Sequence, residues 1–113
     1  MFGDIGKMLR MAGRLKAKLP QIREKIENSQ FTGESGHGQV AAVVNGKLGL
    51  VSLRIAPELV ADLTEQGRLD VDLLSDLIKV AIAAAQQKAA DAMQQAMLEV
   101  TGGMKLPGLD GLL

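Results

Sequence analysis

The stretch FTGESGHGQVAAVVNG, Phe31–Gly46, decides how the chain is read. Four glycines surround a run of small and β-branched residues, between a charged N-terminal arm and a long alanine-rich one. Val40, Ala42 and Val44 alternate with Gln39, Ala41, Val43 and Asn45, and further on Val51, Leu53 and Ile55 alternate with Ser52 and Arg54. A period of two places one side of each strand on a core and the other toward water. Asn45-Gly46 joins the two runs and is the strongest short-range hairpin signal. Gly36-His37-Gly38 supplies a second turn, after a strand expected over Gln30–Ser35. The segment therefore reads as a three-stranded antiparallel meander, with Val40, Ala42, Val44, Val51, Leu53 and Ile55 as core and dimerisation residues. Three strands are marginal alone, so this sheet calls for helices on its face, a second sheet at its edge, or both.

On the N-terminal side the period changes. Ile5, Met8, Ala12, Leu15, Leu19, Ile22 and Ile26 are spaced alternately three and four apart. This is an a/d seam over about three heptads and predicts a helix from about Asp4 to Asn28 that packs along one narrow line. Pro20 lies off the seam, which favours a kinked but continuous arm. On the C-terminal side, Ala56-Pro57-Glu58 opens a short helix with proline at its first position, running to about Leu63. Glu65–Arg68 reads as a loop, and Asp70 or Asp72 caps a last helix reaching about Val100. That helix is rich in alanine, the best helix former, and Ala81, Ala85, Ala89, Ala92 and Ala96 fall near one face, where a helix or sheet could approach closely. Gly102-Gly103 stops it. The expected architecture is α+β: long N-terminal helix, three-stranded meander, short helix and long C-terminal helix, forming one domain over residues 1–101 with a flexible tail over 102–113.

Composition narrows the function. The 113 residues carry thirteen basic and thirteen acidic side chains and no cysteine, which suits a reducing cytoplasm and excludes disulfide or thiol chemistry. No apolar run is long enough to span a membrane, and the N-terminus lacks the order of a signal peptide. With two Phe and no Trp or Tyr, base stacking on aromatic rings is not an expected mode of nucleic-acid binding. An enzyme is not expected. His37, the only histidine, reads as an exposed turn residue, no ligand set for a metal or cofactor is visible, and Ser35 and Ser52 lack a base with an orienting partner. The glycine-rich turn enters a strand rather than a helix, which argues against a phosphate loop.

Charge distribution is more telling than its sum. Residues 1–28 hold seven basic against three acidic residues, a net +4, whereas the remainder holds six against ten, a net −4. Lys7, Arg10 and Arg14 lie three and four apart, away from the apolar seam, and form an outward stripe. Such a stripe either keeps an amphipathic helix soluble, pairing with acids elsewhere, or contacts phosphates, giving sequence-tolerant and salt-sensitive binding.

The run T-G-E-S-G-x-G at Thr32–Gly38, the spacing to Val40, Val44 and Asn45-Gly46, the I-x-P at Ile55–Pro57 and the V-T-G-G-M-x-L-P-G at Val100–Gly108 resemble the YbaB/EbfC family of bacterial nucleoid-associated proteins. The resemblance covers essentially the whole chain in one order. It implies a homodimer whose central sheets join, helical arms that project like tweezers, and largely sequence-tolerant binding of duplex DNA in the nucleoid, without catalysis. The positions it assigns to DNA contact are Lys7, Arg10, Arg14, Lys16 and Lys18, with Lys79 and Lys88 on the last helix as weaker candidates. The competing expectation is a protein-interaction adaptor whose heptad-patterned first helix docks a partner protein.

Overall fold

The computed structural model describes residues 2–100, with side chains from residue 4; the expected tail over 102–113 lies outside the described residues. Helix α1 spans Phe2–Glu27, followed by strands β1 (Gln30–Ser35), β2 (Val40–Asn45) and β3 (Leu50–Ile55). Helix α2 (Pro57–Asp62), two short strands β4 (Thr64–Glu65) and β5 (Arg68–Leu69), and helix α3 (Val71–Val100) complete the chain. This is the α+β order expected from the periodicities. α1 is one continuous helix with Pro20 inside it.

The three long strands form an antiparallel meander in the order β1-β2-β3. Ser35 pairs with Val40 across the first turn, where Gly36, His37 and Gly38 all have positive φ and Gln39 N donates to Gly36 O. The second turn is wider than Asn45-Gly46 alone suggests. It takes in residues 46–49, and Leu48 has φ 68°. Asn45 organises it through its side chain, whose Oδ1 accepts from Lys47 N at 2.9 Å and Gly49 N at 3.0 Å. Gly46 is needed for closeness rather than for torsion: a Cβ there would run into the Ile26 carbonyl at the end of α1. Residues 64–69, expected as plain loop around Glu65–Arg68, instead form a small hairpin, β4 with β5. Gln66 (φ 53°) and Gly67 (φ 78°) adopt the paired left-handed conformations of a two-residue turn.

α3 lies across β1 and β2. Its N-terminus is capped by Asp70, whose Oδ1 accepts from Leu73 N at 3.0 Å. The helix can sit close because both surfaces are stripped down where they meet. Ala81 and Ala85 are fully buried, and a Cβ on Gly33 of β1 would collide with the Ala81 carbonyl and the Ala85 amide nitrogen. The Ser35 hydroxyl donates to the Leu77 carbonyl and ties the end of β1 to the helix. Two apolar clusters follow. One joins Val40 and Ala42 to Leu59 and Ala81, with Ile55, Leu74, Leu77 and Ile78 packed around it. The other joins Val44 to Ala85 and Ala89, with Phe31 alongside.

β3 departs from expectation. Val40, Ala42 and Val44 are completely buried, but Val51 is 49% and Leu53 38% exposed, so neither belongs to the core of the single chain; Ile55 is half-buried against the first cluster. For Val51 part of the cause is register, whereas Leu53, paired with buried Ala42, keeps the core-side face and lacks only cover. Ala42 pairs with Leu53 and Val43 with Ser52, but Val44 pairs with Leu50, so a β-bulge at Val51 breaks the alternation that the sequence suggests. The other part is cover, since α3 lies on β1 and β2 and β3 falls beyond it.

Candidate nucleic-acid interface

α1 and α3 both run past the sheet, and the molecule is a rod of 76 × 22 × 17 Å. The C-terminal half of α1 lies against the C-terminal half of α3, with a shallow groove between them lined by Ile22, Ile26, Ala92, Ala96 and Val100. Ile26, at the root of the arm, is buried, and Leu19 and Ile22 are half-buried. Toward the N-terminus the seam opens: Ile5 is 55% and Met8 66% exposed, and Leu9 beside them 68%, while Met11 and Leu15 are half-buried.

The expected DNA-contacting side chains, Lys7, Arg10, Arg14, Lys16 and Lys18, are all on α1 and all exposed. At 3.6 residues per turn, Lys7, Arg10, Arg14 and Lys18 share one face and extend over roughly 16 Å of helix axis. Lys16 does not join them. It stands nine residues from Lys7, about two and a half turns, and so lies on the other flank of the apolar seam. Among the described residues none of the five makes an ion pair; the salt bridge present joins Lys47 to Glu27 at 3.9 Å, at the root of the arm. Arg10 Nε donates to the Gly6 carbonyl one turn back at 3.3 Å, which lays its guanidinium along the helix surface. Lys79 and Lys88 are exposed on α3, but nine residues apart they face opposite ways and build no common surface. Three of the acids have partners away from the stripe. Asp91 accepts from Gln87 Nε2 on α3, Asp70 caps α3, and Glu27 takes Lys47.

The side of the sheet away from α3 is a shallow polar surface with Thr32, Glu34, Ser52 and Arg54 around Ala41 and Val43. Ser35 is committed to the Leu77 carbonyl. Among the described residues no group of three or more His, Cys, Asp or Glu side chains could hold a metal ion, and no helix is long and apolar enough to cross a membrane.

The fold thus sets a basic, outward-facing helical arm on a small α+β platform. Residues 1–104 match the model of the YbaB/EbfC DNA-binding family. The chain belongs to that family. Curated relatives agree over nearly the full length. A nucleoid-associated protein of Clostridium perfringens is 37% identical over 107 residues, covering 95% of this chain and 90% of its own. One of Gemmatimonas aurantiaca is 38% identical over 104 residues, covering 92% and 94%. Among solved structures, an uncharacterized protein of Helicobacter pylori superposes with a TM-score of 0.56 at 22% identity, over 72% of this chain and 87% of that one, and shows the same fold. The family is one of DNA-binding, nucleoid-associated proteins and not an enzyme family.

Proposed function

We propose that residues 1–101 form a single YbaB/EbfC-like domain that works as a homodimer, binds duplex DNA through backbone phosphates with little regard to sequence, and resides on the nucleoid in the cytoplasm without catalysing a reaction. The observation that carries this reading is the stripe Lys7, Arg10, Arg14 and Lys18: four exposed cations on one face of a projecting helix, with no ion pair among the described residues. Cations that served only to keep the helix soluble would do equally well beside acids. Left unpaired along a continuous helical arm, they suit a row of phosphates, and each phosphate they neutralise releases counterions. Recognition of bases has no support, since no helix-turn-helix or zinc site is present among the described residues.

The dimer is proposed on the state of β3. Among the described residues no strand pairs with its outer edge, α3 does not cover it, and it exposes Leu50, Val51 and Leu53. An uncovered apolar edge strand is a template for another chain, and pairing with its equivalent across a two-fold axis would extend the ladder to six strands. The four-charge stripe would then be presented twice, once on each arm.

A gel-shift titration of purified protein on duplex DNA at several salt concentrations tests the reading. The slope of log affinity against log salt should be about −0.9 for each phosphate engaged. The triple variant Lys7→Glu, Arg10→Glu, Arg14→Glu should abolish retention while leaving the oligomeric state unchanged. Equal retention by the triple variant would remove α1 from the interface. No binding even at low salt, with a partner protein co-purifying, would favour the adaptor reading, which has its own support in the bare apolar seam at Ile5, Met8 and Leu9.

A further inference from the structure

The bare half of the α1 seam is where the structure says more than DNA binding requires. From Ile5 to Leu15 the arm runs beyond the part that lies against α3, and it exposes Ile5, Met8 and Leu9. An apolar stripe with a/d spacing is built to pack against another helix. We propose that its occupant is α1 of a second copy, lying antiparallel, so that arms join tip over tip and link one molecule to the next.

The charges beside the seam select this arrangement. With Ile5, Ala12 and Leu19 at a, and Met8, Leu15 and Ile22 at d, the flanking g positions are Asp4, Met11 and Lys18, and the flanking e positions are Leu9, Lys16 and Arg23. A parallel pair in register brings g against e of the following heptad. It would place Lys18 beside Arg23, and Asp4 against uncharged Leu9. The antiparallel pair sets g against g and e against e. In the register centred near Met11, Ile5 meets Leu15 of the second copy, and Met8 meets its Ala12, a large residue against a small one. Asp4 then faces Lys18 of the second copy at both ends of the overlap. Met11 faces Met11 and Leu9 faces Leu9, which explains why two flanking positions are apolar on an otherwise charged arm. The overlap ends at Lys18, before either copy's α3 is reached at Ile22. Lys7, Arg10 and Arg14 occupy the c and f positions and stay outward, so joined arms still present three of the stripe's four cations, Lys18 being engaged by Asp4. Such joining rests on the arm alone and holds whether or not DNA is bound. It adds an association separate from any pairing of β3 edges.

The absence of cysteine makes the test direct. Full-length Met11→Cys protein treated with a short bismaleimide should cross-link into a dimer of chains, whereas Lys7→Cys, on the outer face, should cross-link at least tenfold less. Leu9→Cys is a second self-facing position and should behave like Met11→Cys. In the Met11→Cys background, Asp4→Lys opposes two lysines and Lys18→Glu opposes two acids, and each should lower the cross-linked fraction several-fold. The combination Asp4→Lys with Lys18→Glu should restore it, an outcome that general damage to the helix would not produce. Equal cross-linking at positions 7 and 11, or no rescue by the charge exchange, overturns the proposal. So does cross-linking that appears only when residues 101–113 are removed, which would assign the stripe to the chain's own C-terminal segment. Capture of a different protein at Met11→Cys in place of a second copy overturns it as well.

Discussion

β2 and β3 are neighbours with nearly the same apolar content, VAAVVN against LVSLRI, yet their fates are opposite. Val40, Ala42 and Val44 lie in the core, while five of the six β3 residues are exposed. Alternation shows that a strand has an apolar face; it does not say whether anything is there to cover it. β2 is covered because α3 reaches it, and α3 reaches it because Gly33 in β1 and the alanines at 81 and 85 remove the side chains that would hold the two apart. β3 lies one strand too far out, and its bulge also turns Val51 out of step. The covered strand gives the chain its stability, and the uncovered one is the surface on which the proposed dimer rests.

Four substitutions would break, sharpen or control for this contrast. Gly33→Ala strikes at its origin. The new methyl meets the backbone of α3, which cannot rotate away as a side chain could, so the helix must lift from β1 and β2 and leave β2 as bare as β3. A loss of about 3 kcal/mol or more is expected, read as a lower urea midpoint. Val40→Ala and Leu53→Ala compare the strands directly. Two buried methyl groups and a cavity should cost about 2 kcal/mol on β2. On β3 the larger truncation should shift the unfolding of dilute, dissociated chains by no more than about 0.5 kcal/mol. Its effect should instead appear in sedimentation equilibrium as weaker dimerisation, and a Leu53→Ala protein that dimerises as tightly as the parent would remove β3 from the interface. Asp70→Ala touches neither strand. Losing the cap of α3 should cost about 1 kcal/mol by urea denaturation, with dimerisation unaltered.

The legibility of the molecule divides along the same line. α1, the meander, α2 with Pro57 at its start and the capped α3 were all readable, because period, proline position and capping chemistry act within a few residues. The small hairpin at 64–69 was not, since two-residue strands carry no period and Gln66 is not a usual left-handed residue. The Asn45 turn was half readable. Its place was evident, but the reach of its side chain to the amides at 47 and 49 set its width, and Gly46 answers to the end of α1 rather than to the turn. At the candidate interface the i, i+3, i+4 spacing sufficed to put Lys7, Arg10, Arg14 and Lys18 on one face and should also have set Lys16 apart.

The sequence by itself determined the long elements and α2, their order, the family and the cationic stripe, because each depends on the spacing of side chains along one element. Only the tertiary structure decided which apolar faces are covered. Helix α3 could have been placed by its alanines against any small surface; the backbone approach at Gly33 brings it over β1 and β2. That choice leaves β3 and the tip of α1 open, and a face left open depends on distances between elements that no local pattern encodes.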